Sequence, residues 1–376
     1  MSAPTEMLQL IKQLVAGKSV LVTGHTGFKG SWLSAWLASM GARVTGIALA
    51  PDQGEDNIFE RARIKEQCVA SHFQDICDAP RVAEIFATAR PQIVFHLAAQ
   101  PLVRRAYREP LVTFATNVMG TANLLEAARA TPSVSAVVCV TTDKVYANNE
   151  WCWPYREIDA LGGIDPYSAS KAAAEMIARA YMTTMLPNDR PYQMATARGG
   201  NVIGGGDWAE DRIVPDIVRS IRADRALVIR NPGATRPWQH VLELCLGYLI
   251  LAMRLSEGRA ETSAPPAAFS GAWNFGPDAS HEIRVSSLIE RVLKSWGRPD
   301  FPIENQGSNL HESRFLRLDS SKARTELGWR PVLHPEETFD WTASWYRSYL
   351  GDEATAGELV AAQIAAYEDL ITRRVS

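Results

Sequence analysis

Short β-branched apolar runs alternate with longer stretches of helical period through the first half of the chain. Ser19-Val-Leu-Val-Thr23 leads into the glycine turn Gly24-His-Thr-Gly-Phe-Lys-Gly30, and an apolar-periodic stretch from Trp32 to Met40 then stops at Gly41. That order predicts a strand, a tight turn and a helix. Arg43-Val-Thr-Gly-Ile-Ala-Leu49 predicts the next strand, closed by the polar loop from Pro51 to Asn57. Pro80 opens a predicted helix around Arg81–Ala89, and the strand Gln92-Ile-Val-Phe-His-Leu97 follows. A predicted helix from about Val112 to Ala130 precedes the strand Ala136-Val-Val-Cys-Val140. This alternation predicts an α/β fold with a doubly wound parallel sheet. Right-handed crossovers would put the loop after each strand at the carboxyl edge, where open α/β sheets bind ligands.

The pattern changes near residue 200. From Gly204 onward there are short strands, helices and Pro/Gly-rich loops such as Asn231-Pro-Gly233 and Thr262–Pro266. We expect a Rossmann-type domain over residues 1–200 and a smaller mixed α/β substrate lobe over 201–376, some segments of which return to the first domain. The tail from Glu353 to Arg374 has a helical pattern.

A net charge of -3 gives no reason to expect a nucleic acid or an anionic membrane as partner, so an anionic ligand would need local arginines. Cys68, Cys77, Cys139, Cys152 and Cys245 are odd in number and lack Cys-x-x-Cys pairing. Buried free thiols in a reducing cytoplasm are expected, with neither a disulfide framework nor a metal site. No basic stretch followed by a long apolar run opens the chain, and no span of membrane length is expected.

Against that background a few residues stand out. Tyr167-Ser-Ala-Ser-Lys171 puts a phenol and an ammonium four residues apart, on one face of a helix. An adjacent ammonium lowers a phenol's pKa, and a phenolate can take a hydroxyl proton while a nicotinamide takes the hydride. Tyr-x-x-x-Lys alone is common by chance; here a glycine-rich strand-to-helix turn lies upstream, and Thr141-Thr-Asp-Lys144 falls at a predicted strand end. Gly24, Gly27 and Gly30 would let backbone amides and a helix N-terminus approach a pyrophosphate. No acidic residue closes the second strand apart from Asp52 in the loop, which leaves NAD and NADP both open on local grounds. Asp75 and Ile76 follow the third strand, where Asp75 either meets an adenine or only forms a turn. His96-Leu-Ala-Ala-Gln100 ends the fourth strand with small residues, placing Gln100 toward a substrate, whereas His96 reads as a packed strand residue. Asn117 lies within a predicted helix and is equally compatible with exposure. Arg198, Arg212 and Arg236 suggest a phosphate or diphosphate clamp, although a lone arginine is usually a surface ion pair. Trp151 and Trp153 read as structural or lid residues.

At these residues the chain resembles the extended short-chain dehydrogenase/reductase family, and within it the nucleotide-sugar 4,6-dehydratases that act on CDP-glucose. The matching segments run nearly end to end: Gly24–Leu33, His96–Arg104, Thr142–Tyr146, Leu161–Lys171, Gly200–Trp208, Arg236–Val241 and Leu318–Ala323. The glycine turn and Tyr-x-x-x-Lys are shared across the superfamily; Thr-Asp-Lys and Gly-Gly-Gly-Asp-Trp are specific to this branch. Sister dehydratases carry Glu where this chain has Lys144.

The resemblance implies NAD held by Gly24, Thr26, Gly27, Phe28, Lys29, Gly30, Asp75, Ile76, Leu97, Ala98, Ala99, Thr116, Tyr167 and Lys171. It implies substrate contacts from Gln100, Asn201, Arg212 and Arg236, and a role for Asn117 in fixing the helix near Lys171. Tyr167, polarised by Lys171 and aided by Thr142, would take the glucose 4-hydroxyl proton as hydride passes to NAD. Lys144 would remove the C5 proton, Asp143 would protonate the departing C6 hydroxyl, and the hydride would return to C6. Asp143 acts as an acid only if desolvation raises its pKa. A homodimer through the helices around Thr113–Ala130 and Ser168–Tyr181 is also implied, with Ala169, Ala172, Ala173 and Ala174 allowing close approach. Two other readings stay open: a nucleotide-sugar 4-epimerase, which needs no acid/base pair for C5 and C6, and a protein that binds NAD without turnover.

Overall fold

Strand residues of the predicted sheet point alternately into two separate cores, as strands covered on both faces must. Val20, Val22, Ile93, Phe95, Val138 and Val140 enter one core, while Leu21, Val94, Val137 and Cys139 enter the other. The computed structural model describes residues 4–52, 56–185, 192–257, 269–277, 283–307 and 316–374. Its main sheet contains β1 (Ser19–Thr23), β2 (Arg43–Ala48), β3 (Ala70–Phe73), β4 (Ile93–His96), β5 (Ala136–Thr142) and β6 (Gln193–Gly199). A seventh strand, Gly271–Phe275, pairs with β6, and the order is Gly271–Phe275, β6, β5, β4, β1, β2, β3. Every pairing in this sheet is parallel. The doubly wound α/β architecture expected from the sequence is therefore present.

Residue 200 is not a clean boundary. The helix Val241–Glu257 is buried nearly all round and packs against the sheet, and Gly271–Phe275 completes it. The helix Ala356–Arg374 lies against Pro4–Val15 and Phe28–Ser39. The Thr262–Pro266 loop lies outside the described residues.

The helix expected over Val112–Ala130 is present, running from Pro110 to Ala130 with a π-helical stretch at Ala115–Gly120. Gly120 lets the Ile76 side chain approach, since a Cβ there would sit 2.5 Å from Ile76 Cδ1. Cys139 and Cys245 are buried as expected, but Cys152 is exposed.

Candidate active site

The glycine turn at the end of β1 is shaped by backbone proximity. Gly24 has φ +74°, and a Cβ there would meet Ala98 N at 2.8 Å; one on Gly30 would lie 2.0 Å from the Gly24 carbonyl oxygen. Gly27 caps the helix Phe28–Ser39 with no side-chain hydrogen bond, so the first-turn amides have no side-chain acceptor. An open helix N-terminus beside a Cβ-free cradle fits a dinucleotide pyrophosphate. Thr26 donates to the Leu49 carbonyl at 3.0 Å, fixing this turn to the end of β2. Asp52 is exposed. Asp75 accepts from the Cys77 amide at 2.8 Å, a turn-forming bond, and Thr116 reaches the Cys77 thiol.

At the end of β4, Thr23 Oγ1 accepts from the Leu97 and Ala98 amides, both at 3.1 Å. Its own proton then points to His96 Nδ1, 2.7 Å away, which leaves Nε2–H to donate to Thr121 Oγ1 at 3.0 Å. His96 is thus a packed strand residue, its pKa lowered to about 3 by burial. Gln100 does not meet the expectation of a substrate contact. Its side chain accepts from Leu102 N at 2.7 Å and donates to Thr113 Oγ1 at 2.8 Å, folding back on its own loop. Asn117 is buried, not exposed: its Oδ1 accepts from Gln100 N at 2.8 Å, and its Nδ2 donates to Ser170 Oγ at 2.8 Å. The π-helical stretch is thereby tied to the helix that carries Tyr167 and Lys171.

That helix, Pro166–Ala180, starts where Pro166 and Asp165 dictate. Asp165 Oδ1 accepts from the Tyr167 amide at 2.9 Å and the Ser168 amide at 3.0 Å. Tyr167 and Lys171 are both buried and face the end of β5. There Thr142 Oγ1 lies 2.9 Å from Asp143 Oδ1, and Asp143–Val145 forms a single 3-10 turn. Burial pushes the Asp143 carboxyl above its ordinary range, opposed by Lys144, Thr142 and Arg236.

The expected effect of Lys171 on Tyr167 is corrected. Burial pushes the phenol up to about 12, opposed by a hydrogen bond from Thr142 and, more weakly, by the charge of Arg212. Lys171, lowered to about 8 by burial, donates to the Val140 carbonyl at 3.1 Å. The two groups share a helix face, but the ammonium is directed at the strand.

A cavity of about 660 Å³ opens over these groups, lined by Lys29, Thr142, Asp143, Lys144, Tyr167, Asn201, Arg212 and Arg236. Burial, with Lys171 and Arg212 nearby, lowers Lys29 to about 8. Arg212 pairs with Asp207 at 2.8 Å. Arg104 and Arg230 also line the cavity, and both flank Asp211, at 3.7 and 2.7 Å. Sequence reasoning missed them; the signal was Arg230 at a strand end before Asn231-Pro-Gly233, and Arg104 following the β4 loop. Arg198 was expected among the clamp arginines, but it is buried beneath the cavity and paired with Glu175 at 2.8 Å. Trp151 stacks on Tyr155 and meets Trp153 edge-on, a structural cluster on the loop beyond β5.

The family model described as GDP-mannose 4,6 dehydratase matches residues 21–340. The chain is 44% identical over 349 residues to the CDP-glucose 4,6-dehydratase of Salmonella typhimurium, covering 91% of this chain and 94% of that protein. It is 27% identical to dTDP-glucose 4,6-dehydratase 1 of Escherichia coli, over 88% of this chain and 92% of the other. Among solved structures, DesIV, a dTDP-glucose 4,6-dehydratase of Streptomyces venezuelae with NAD bound, superposes with a TM-score of 0.73 at 25% identity. That match covers 88% of this chain and 98% of DesIV. A catalytic-type strand end, a Tyr-Lys helix and a glycine cradle on one carboxyl edge agree with these likenesses, and this chain belongs to the GDP-mannose 4,6-dehydratase family of extended short-chain dehydrogenases/reductases.

Proposed function

We propose that the protein is a CDP-glucose 4,6-dehydratase, a hydro-lyase that forms CDP-4-keto-6-deoxyglucose and water in deoxysugar biosynthesis. The observation that carries the reading is the convergence of Thr142, Asp143, Lys144 and Tyr167 on one cavity, with the Asp143 carboxyl buried and raised. The 44% identity to a CDP-glucose 4,6-dehydratase supports the choice of sugar nucleotide.

The glycine cradle, with Tyr167 and Lys171, would hold NAD, which when bound would supply a hydride acceptor for C4 and a hydride donor for C6 with no net consumption. Tyr167 takes the C4 hydroxyl proton, assisted by the Thr142 hydrogen bond that opposes burial of the phenolate. Lys144 removes the C5 proton, which the new 4-ketone acidifies, and C5 is reprotonated as C6 takes back the hydride, so that only water is lost. Asp143, whose carboxyl burial shifts upward, gives its proton to the departing C6 hydroxyl, which leaves as water. Asn201, Arg212 and Arg236, with Arg104 and Arg230, surround the part of the cavity suited to a diphosphate. A 4-epimerase needs Tyr167 but no buried acid beside the sugar, and Asp143 favours the dehydratase. Incubation with CDP-, dTDP-, UDP- and GDP-glucose, reading the 4-keto product by its absorbance in alkali, tests the assignment. Turnover of CDP-glucose is expected to exceed the others, and turnover confined to another nucleotide would overturn it.

The same reading includes a cytoplasmic homodimer. Five free thiols and the absence, among the described residues, of any helix long and apolar enough to cross a membrane are compatible with that compartment. Leu111, Val112, Met119 and Met176 are exposed on Pro110–Gly120 and Pro166–Ala180, which supports pairing through those helices. Ala172 and Ala174 are buried within the protomer and leave Ala169 and Ala173 for that face.

A further inference from the structure

Glu175 lies one turn beyond Lys171 and two beyond Tyr167, on the same face of Pro166–Ala180. Its carboxylate is buried and fully occupied. Arg198 forks onto it, Nε to Oε1 at 3.0 Å and Nη2 to Oε2 at 2.8 Å. Thr141 donates to Oε1 at 2.5 Å and Thr196 to Oε2 at 2.8 Å. Thr141 immediately precedes the Thr142-Asp143-Lys144 run and lies opposite Arg198 in the β5–β6 ladder. Arg198 Nη1 continues to the Tyr146 hydroxyl at 2.8 Å, which donates to Asn274 Oδ1 at 2.7 Å on the strand Gly271–Phe275. One carboxylate therefore joins the helix bearing Tyr167 and Lys171 to the strand end bearing Thr142, Asp143 and Lys144.

A buried ion pair is a poor way to gain stability, because apolar residues of similar volume serve folding as well. Its strength is directional: a fork with two extra hydroxyl donors permits one relative placement of the elements it joins. We infer that Glu175 and Arg198 are positioning residues, which fix the acid–base groups at the end of β5 against the Tyr167–Lys171 helix. This rests on the dehydratase reading of the cavity. Glu175 has a second, electrostatic effect on Lys171. The titratable groups that face Lys171 are Glu175 on its own helix, the Cys139 thiol of β5, His96 of β4 and Lys29 of the helix after the glycine turn. His96 is neutral and the Cys139 thiol is pushed up to about 12, so Glu175 is the carboxylate that sustains the ammonium.

The test compares full-length variants with wild type at saturating CDP-glucose across a pH series. Glu175→Gln keeps the shape and removes the charge. Its kcat should fall by about tenfold to a hundredfold, the scale of a 1 Å misplacement of reacting groups, with KM changed by less than about threefold. Loss of the charge disfavours the Lys171 ammonium, a group expected to hold the cofactor, so the alkaline limb of kcat should move to lower pH. Glu175→Asp keeps the charge and shortens the reach; kcat should fall while the alkaline limb stays in place. A role confined to folding would lower the melting temperature and leave kcat per folded site and the limb unchanged, which would overturn the inference. Should Glu175→Gln not fold, Thr141→Val decides alone, since it removes one hydroxyl and leaves no charge unpaired. Thr141→Val should lose about threefold to tenfold in kcat at constant KM, and wild-type kcat in that variant would sink the inference. Failure of wild type to turn over CDP-glucose would instead count against the proposed function.

Discussion

The Thr142 hydroxyl lies 2.9 Å from the carboxylate of Asp143. It also reaches the Tyr167 phenol, and a hydroxyl has one proton to donate. An ionised Asp143 competes with Tyr167 for that proton. A protonated Asp143 can donate to Thr142 instead, which frees the threonine proton for the developing phenolate. The acid and the base of the proposed cycle are thus linked through one side chain, and the protonated carboxyl suits both.

Asp143→Asn should separate oxidation from elimination. Tyr167, Lys171 and the cofactor cradle are untouched, so C4 oxidation proceeds, while departure of the C6 hydroxyl loses its acid. General acid catalysis contributes about a hundredfold to ten-thousandfold. Reduced cofactor should therefore accumulate on the enzyme after mixing with CDP-glucose, visible by its absorbance, with little 6-deoxy product. Normal turnover would return the epimerase reading to favour.

Thr142→Val removes the hydrogen bond that opposes the upward shift of Tyr167. The phenol must ionise to act, so raising its pKa moves the acid limb of the rate profile to higher pH. At neutral pH kcat should fall by about tenfold to a hundredfold, on the scale of one lost transition-state hydrogen bond, and alkaline buffers should partly restore it. A uniform loss at every pH would contradict this account of Thr142.

Glu243 ties the C-terminal helix to the core. Its carboxylate accepts from Leu333 N at 2.7 Å and from the Tyr367 hydroxyl at 2.8 Å. Burial raises it from the ordinary 4.5 to about 7, with those donors opposing the shift. Between these values the native state keeps a proton that the unfolded chain loses, so the stability it contributes is present below 4.5 and lost as pH rises through 7. The change is about 3 kcal/mol at about 1.4 kcal/mol per pH unit. Glu243→Gln, which does not titrate, should gain that amount relative to wild type between the two pH values, measured by chemical denaturation. Parallel stability curves would show that the donors hold Glu243 ionised throughout.

The proposed dimer predicts that Leu111→Glu combined with Met176→Glu yields a monomer at micromolar concentration by light scattering. Both side chains are exposed, so the protomer's own core is untouched. An unchanged mass in the variant, or a monomeric wild type, would count against that face.

Legibility in the sequence followed the range of the interactions. Tyr167 and Lys171 share a face because of helical spacing alone, and Thr142 and Asp143 fall at a strand end, so their convergence was readable. Arg198 was misread because its partner, Glu175, is 23 residues away on another element. Gln100 turns to Leu102 on its own loop and to Thr113 on the following helix, contacts that no hydrophobic period marks. The Lys171 ammonium was expected beside the phenol, but direction on a shared face depends on what the strand offers, here the Val140 carbonyl.

The strand Gly271–Phe275 is the last of the main sheet to be synthesised, and it closes the β6 edge. Until it emerges from the ribosome, β6 presents unpaired backbone groups alongside the ion pair that underlies the cavity. A fragment ending near residue 200 would inherit that open edge permanently and be prone to aggregate. The cofactor half is therefore not a transplantable module, and chimeras that exchange specificity should replace cavity loops, leaving residues 271–275 with their native partner.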